Sequence, residues 1–392
     1  VLTSRVVEEG RARHLETAWI SGRTGATLVA SRTPLARAAY PPRFAWEQTP
    51  ELERRYPLDG PLRGLALAGV DSDGRPDLVV ADERGITIQA LQDGSLVPVA
   101  GATFRPGGLV LSVDAADVNG TGRPQIVVVD ARLVGDAVHS TVLELVGGRL
   151  RPIYEARDRY LRVIPVGGES WLVEQAIGLT EPFGARIRRL VWRDGRYHDG
   201  PTLAVPKDVT VYGLALLRLT GAAEPDVVAL TGEDRLTVWT ARGRRIWTSA
   251  EAYGGPAVTF PMSAATERRD EIRIGRIRGR IIALPDRPEG PEILVFGNFI
   301  PLVGGARTLF PGVAPTLFTQ GRIHRLRWTE GQFIPVWQSR TTDGYIADFA
   351  YGSMDGDGFP KVVVGVVPRG LNLDTLNPVG RPRGQLVVYE LP

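Results

Sequence analysis

An all-β ring of repeated four-stranded sheets is the fold class this sequence predicts, and three observations carry it. Five short hairpins of one design recur, each with an apolar strand-forming run, a two-residue turn ending in Gly, and a second strand-forming run. The turns are Asp93-Gly94, Gly147-Gly148, Asp194-Gly195, Arg242-Gly243 and Glu330-Gly331. Gly at the second turn position accepts the positive φ that suits the twist of paired strands. Successive turns also keep a period of roughly 50 residues, with one interval nearly twice as long; a strand-built period of that size marks blades that bury their faces only against neighbours. Finally, the same order of strand, polar loop and strand precedes the hairpins: Leu65 to Val80, Leu111 to Val129, Leu214 to Leu230, Ile346 to Val367, and more weakly Arg280 to Val295. Each unit thus supplies an inner pair joined by a polar loop and an outer pair joined by the Gly turn. The expected fold is a seven-bladed β-propeller forming one domain.

Taken in order, the first blade is degenerate and covers about residues 14 to 60, where Trp46 follows Pro41-Pro42 at the offset that Tyr154, Trp247 and Trp337 keep from their turns. The others cover about 61 to 107, 108 to 159, 160 to 207, 208 to 256, 257 to 341 and 342 to 392. The longest interval leaves room for an eighth, badly degenerate blade. The last blade stops after its third strand, Gln385 to Tyr389, while Val1 to Val7 is a spare strand ahead of the first. Pairing the two closes the ring and removes an exposed edge.

Composition narrows the chemistry. The 392 residues are 43% apolar and contain no cysteine, which excludes disulfides, thiolate metal sites and a cysteine nucleophile. No uninterrupted apolar run reaches the ~18 residues that a membrane-spanning helix needs. Of 47 basic residues only Lys207 and Lys361 are lysine, and the net charge is only +3. The arginines recur at short intervals, as on exposed strand faces, without the interleaved aromatics of a nucleic-acid platform. His14, His139, His198 and His324 are dispersed, and none sits in an HExxH, Gly-x-Ser-x-Gly or other recognisable catalytic setting. No catalytic residue or organic cofactor is expected.

Three of the polar loops carry a motif: Asp71-Ser72-Asp73-Gly74-Arg75-Pro76-Asp77, Asp117-Val118-Asn119-Gly120-Thr121-Gly122-Arg123-Pro124-Gln125, and Asp355-Gly356-Asp357-Gly358-Phe359-Pro360-Lys361. They resemble the loops of the FG-GAP and VCBS repeat family, the propeller type also found in the integrin α-subunit head. That resemblance implies a secreted or surface-anchored protein that binds proteins or glycans. It also implies a calcium loop of pattern Asp-x-Asp/Asn-x-Asp-Gly-x-x-Asp, whose alternating oxygens wrap the ion around a Gly bend. Every copy here has lost ligands. The first keeps Asp71, Asp73 and Asp77 but leads with Gly69; the second keeps Asp117 and Asn119 but has Thr121 and Gln125; the last has Ser353 in front and Lys361 at the end, where an ammonium repels the ion. Asp71, Asp73, Asp77, Asp117 and Asn119 are therefore the candidate calcium ligands. The other reading makes these loops Asx and Gly turns whose carboxylates cap backbone N–H groups. One stretch, Val238 to Trp247, resembles a blade of the quinone-dependent dehydrogenase propellers, and a single copy does not imply that cofactor.

Loop lengths point to a binding face. The insertions Glu251 to Gly275, Pro301 to Pro315 and Pro368 to Gly384 all leave the strand ends of one face, in the last two blades. Leu309, Phe310, Leu371, Asn372 and Leu373 are the residues expected to anchor a partner there. A protein partner is favoured over a glycan, because the loops offer Leu and Phe rather than Trp and Tyr pairs. A self-packed cap over the central channel is the other use of such loops. The chain opens at Val1 rather than Met, leaving open an upstream signal, lipid anchor or domain. The function expected is that of a non-catalytic exported binding or scaffold protein of the cell envelope. The competing class is a propeller-fold hydrolase or lyase acting on an extracellular polymer.

Overall fold

The computed structural model describes residues 2–9, 12–20, 27–35, 54–71, 73–104, 108–132, 138–179, 181–232, 234–263, 272–285, 288–301, 307–308, 318–368 and 383–391. The chain divides into two compact units, Val1–Glu47 and Gln48–Pro392. In the first, Leu2–Glu9, Ala12–Ile20 and Thr27–Leu35 form a three-stranded antiparallel sheet in sequence order. Its register runs from Leu2↔Trp19 to Glu9↔Ala12. The expected closure by Val1 to Val7 and the blade expected over residues 14 to 60 are thereby corrected. A strand's own alternation does not name its partner, and a neighbour a few residues away closes the shortest loop.

Among the described residues the second unit carries six blades rather than seven, each on a path of four antiparallel strands, with Arg307–Thr308 and Thr342–Asp343 as short additions to blade 5. Blade 1 is Gly64–Ala68, Asp77–Ala81, Gly85–Gln92 and Ser95–Thr103. Blade 2 is Gly108–Ala116, Gln125–Arg132, Val138–Val146 and Arg149–Arg157, and blade 3 is Arg159–Val166, Glu169–Ala176, Ile187–Arg193 and Arg196–Thr202. Blade 4 is Leu214–Leu217, Asp226–Leu230, Arg235–Trp239 and Arg245–Ala252. A separate hairpin, Pro256–Ser263 with Ile272–Arg278, precedes blade 5, which is Ile282–Ala283, Glu292–Pro301, Gln320–Thr329 and Gln332–Gln338. Blade 6 is Tyr345–Gly352, Lys361–Val367 and Gln385–Glu390, completed by Arg54–Pro57. The extra hairpin accounts for part of the long interval that left room for an eighth blade.

Ring closure therefore uses the device expected, with a different strand. Gln385, Leu386, Val387 and Val388 pair with Pro57, Tyr56, Arg55 and Arg54. Tyr56 points inward between exposed neighbours, so this short outer strand still has one apolar anchor.

The outer hairpins turn as their sequences predict. Asp93 and Gly94 have φ of 48° and 76°, and Glu330 and Gly331 have 49° and 80°, the double positive φ of a type I′ turn. A register shift recurs in the outer pair of blades 1 to 5, as at Ile88/Gln89 and Arg325/Leu326, adding local twist.

Burial follows from stacking. The second strands Asp77–Ala81, Asp226–Leu230 and Lys361–Val367 are buried at every position, because a neighbouring blade covers each face. Apolar clusters fill the spaces between blades all the way round. Val79 and Ile88 meet Val113 and Ile126 between blades 1 and 2. Leu65 and Leu78 meet Val363 and Leu386 between blades 6 and 1.

Candidate functional site

The polar loops lie between the first and second strands of their blades, and the residue that opens the second strand organises each loop. In blade 1 that residue is Asp77, 1% exposed, whose Oδ2 accepts Val70 N–H at 2.8 Å and Asp71 N–H at 3.2 Å. In blade 2 Gln125 Oε1 accepts Val118 N–H at 3.0 Å, and in blade 4 Asp226 Oδ2 accepts Leu219 N–H at 2.9 Å and Thr220 N–H at 2.8 Å. The same seven-residue reach recurs in all three blades. Its cause is local: a chain reversing between buried inner strands leaves inward N–H groups that only a side chain can satisfy. Burial pushes the Asp77 carboxyl above the ordinary aspartate range, and the two N–H donors oppose that shift.

The other candidate ligands serve the same turns. Asp71 Oδ1 accepts Asp73 N–H at 3.0 Å, and Asp73 Oδ1 accepts Arg75 N–H at 2.7 Å. Asp117 takes Gly120 and Thr121 N–H on Oδ1 and Gly122 N–H on Oδ2, while Asn119 Oδ1 takes Thr121 Oγ1–H at 2.7 Å. These five residues thus sit in two loops of neighbouring blades, engaged as Asx-turn acceptors. Among the described residues no group of three or more His, Asp or Glu side chains is arranged to hold a metal ion.

In blade 6 the strand-opening residue is Lys361. Its side chain is 2% exposed, and Nζ donates to Asp355 Oδ1 at 2.7 Å and Asp357 Oδ2 at 2.6 Å, with Phe359 O at 3.4 Å. The lysine occupies the loop position that carries the last carboxylate in the Asp-x-Asp/Asn-x-Asp-Gly-x-x-Asp pattern. Burial works against its charge, but the two carboxylates outweigh that and hold its pKa above the ordinary lysine value. In blade 5 the equivalent Glu292 is fully buried between Arg325 at 2.7 Å and Arg327 at 2.8 Å.

On the axis the inner strands line a cavity of about 260 Å³. Ala66, Ala115, Ala116 and Ala350 form part of its wall, and their small side chains leave the space open. An ionic network forms another part of the wall. Arg280 donates to Asp348 from Nε at 2.8 Å and Nη2 at 2.7 Å, gives Val113 O a further bond at 2.9 Å, and lies 3.2 Å from Asp114. Arg162 Nε lies 2.8 Å from Asp114 Oδ2, and its guanidinium stacks over the Tyr212 ring at 5.3 Å. Asp114 also accepts Val163 N–H, Asp348 accepts Leu65 N–H, and Tyr212 Oη meets Ser112 Oγ at 3.3 Å. Blades 1, 2, 3 and 6 are thereby cross-braced, with Tyr212 and Arg280 entering from the segments just ahead of blades 4 and 5. Arg280 is held above the ordinary arginine value, since Asp348 and Asp114 outweigh its burial.

Arg162, Arg280, Asp114 and Asp348 were not candidates in the sequence. The signal available was a charge inside an apolar run, as in Tyr160-Leu161-Arg162-Val163 and Ile346-Ala347-Asp348-Phe349. Another perturbed carboxyl is Asp234, pushed up to about 6 by burial against the opposing charges of Arg278 and Arg276. Leu309, Phe310, Leu371, Asn372 and Leu373, the expected partner anchors, lie outside the described residues.

A ring of four-stranded antiparallel blades is a β-propeller, and its loops assign the repeat. The family model described as an FG-GAP-like repeat matches residues 70–128, from the first loop into the second strand of blade 2. That stretch of the chain matches an FG-GAP-like repeat, as its two loop motifs indicated. No curated protein matches the sequence. Among solved structures, the chain is similar to a europium-containing methanol dehydrogenase, with 11% identity, a TM-score of 0.40, and 99% of this chain and 89% of that one covered. It is similar also to the glucose dehydrogenase-type oxidoreductase of Thermus thermophilus, with 13% identity, a TM-score of 0.43, and coverage of 86% and 99%. The Dos1 propeller shows 10% identity, a TM-score of 0.40, and coverage of 97% and 75%. At these identities no reaction or ligand carries over from them.

Proposed function

We propose that this propeller is a non-catalytic binding ring, an exported scaffold of the cell envelope that holds a protein partner on its loops. The observation that supports this reading is the engagement of its charged groups in the ring itself. Asp71, Asp73 and Asp117 cap their own turns, Asp77 and Asp226 tie down strand openings, and Asp114 and Asp348 are saturated by arginines and backbone N–H groups. A general acid or base needs a carboxyl or imidazole aimed at substrate, and these side chains are aimed at their own scaffold.

The partner contact is assigned to the connections between second and third strands of blades 5 and 6. These carry Leu309, Phe310, Leu371, Asn372 and Leu373 in sequence, and the described strands that precede them, ending at Pro301 and Val367, end on the side away from the Asx loops. Replacing residues 309–317 by a short Gly linker, which leaves the pairing of Arg307 and Thr308 with Pro301 and Ile300 in place, should preserve the melting midpoint and abolish capture of the native partner. Undiminished capture, together with loss of capture on changing the Asx-loop face, refutes the assignment. The competing hydrolase or lyase reading draws on Asp234, a carboxyl with a pKa of about 6 beside Arg278. Cleavage of an envelope polymer by the purified chain, lost in Asp234→Asn, establishes that reading instead.

A further inference from the structure

The axial network has more hydrogen-bond donors than acceptors. Asp114 Oδ1 faces Arg280, and Oδ2 takes Val163 N–H beside Arg162. Asp348 Oδ1 takes Arg280 Nε and Phe349 N–H, while Oδ2 takes Arg280 Nη2 and Leu65 N–H. All four carboxylate oxygens are engaged. On the donor side, Arg162 is 8% exposed, and its Nε faces Asp114 at 2.8 Å but off the line of the N–H, so that contact is Coulombic rather than a hydrogen bond. Neither Nη1 nor Nη2 of Arg162 makes a hydrogen bond to a described residue. A planar fork of donors, nine-tenths buried and lining a cavity, lacks an acceptor.

We propose that this cavity binds a small organic acid, with its carboxylate on the Arg162 fork and its carbon skeleton against Ala66, Ala115 and Ile164. The volume of about 260 Å³ lies just below the roughly 300–1,000 Å³ of drug-sized sites, so it admits a short mono- or dicarboxylate rather than a polymer. Two arginines and two aspartates leave the network formally neutral. Recognition therefore rests on directed, charge-assisted hydrogen bonds and not on a long-range field, and a carboxylate matches the guanidinium bidentately. The lining follows the inner strands toward the Asx-loop face, at Ala116 and Tyr351, so the site is independent of the partner contact proposed above and holds whether or not that contact exists.

The test is calorimetric titration of the full chain with acetate, malonate and succinate, with malonamide as the uncharged isostere and inorganic phosphate as a second anion. The expected result is saturable binding of at least one of the acids at or below roughly 1 mM, with malonamide silent and phosphate weaker. Arg162→Gln should weaken that binding about tenfold to a hundredfold, the worth of a charge-assisted pair. Ala116→Trp fills the cavity while leaving every charged group of the network in the sequence and should abolish binding, so it decides the matter if Arg162→Gln does not fold. Failure of all three acids to bind, equal binding of malonamide, preference for phosphate, or wild-type affinity in Ala116→Trp overturns the proposal.

Discussion

Lys361 offers the sharpest test of how a buried ammonium ties down a polar loop. Its Nζ bridges Asp355 and Asp357 at 2.7 and 2.6 Å, and Asp355 is also held by Arg54 at 3.3 Å from the strand that closes the ring. Lys361→Met keeps the apolar stem and deletes the charge. Removing one partner of a fully buried pair destabilises by about 3–5 kcal/mol. Here the carboxylates keep 19% and 42% exposure and can rehydrate, so the expected loss is smaller, about 2–3 kcal/mol. The sign with pH is fixed by the two shifts. Lys361 has a raised pKa, so its contribution is complete below the ordinary lysine value and lost only as pH climbs through the higher folded value. Asp357 is held below the ordinary aspartate range by its bond to Lys361, so its contribution is lost as pH falls through that lower value. Urea unfolding of wild type and variant at intervals from about pH 2 to 9 should show a gap that is flat from about pH 5 through neutrality and narrows only as pH falls below the ordinary aspartate value.

The companion variant, Lys361→Asp, returns a carboxylate to the ninth loop position. Calcium at about ten times its dissociation constant should then add about 1.4 kcal/mol to the variant and nothing to wild type. A Lys361→Met loss below about 0.5 kcal/mol, or a calcium response in wild type that vanishes in Asp355→Asn, refutes the reasoning, because an ammonium at that loop position must both stabilise the loop and exclude the ion.

Asp234 should give a second pH signature. Its folded pKa of about 6 exceeds the unfolded value, so the native state binds more protons and stability falls as pH rises from about 4 to 6, by on the order of 3 kcal/mol. Asp234→Asn, which suits the local φ of 57°, should flatten that slope in urea titrations. Arg280→Met strands the bidentate acceptor Asp348 and should cost about 3–5 kcal/mol in the same assay. Asp73→Ala should cost about 1 kcal/mol through the lost cap on Arg75 N–H, with the melting midpoint of wild type unmoved by millimolar calcium; a calcium-induced rise that disappears in Asp73→Ala would mark a metal site instead.

Local chemistry was legible and long-range pairing was not. Asp93-Gly94 and Glu330-Gly331 name their turns because only a few residues tolerate two successive positive φ values. The loops from Asp71 to Asp77 and from Asp117 to Gln125 name their repeat because their spacing is set within one reversal of the chain. The closing strand was missed because Arg54 to Pro57 offers one inward residue, Tyr56, and its partner lies at the far end of the sequence. The described strand there, Leu2–Glu9, a better strand by composition, pairs with its neighbour instead. The axial network was hidden for a related reason: Arg162 and Asp348 each read as a lone charge in an apolar strand, and only the ring brings them to one axis.

The antiparallel join between Arg54–Pro57 and Gln385–Glu390 makes the ring, in connectivity, a circle with a single cut. Val388 faces Arg54, so a short linker from the end of the last strand can reach the start of the closing strand. The cut can then be moved to any outer turn, such as Gly94 or Gly331, where no side chain is buried and both flanking strands remain intact. Fusion partners become movable in the same way: a permuted ring can present a cargo beside any chosen blade, with the order of blades around the axis unchanged.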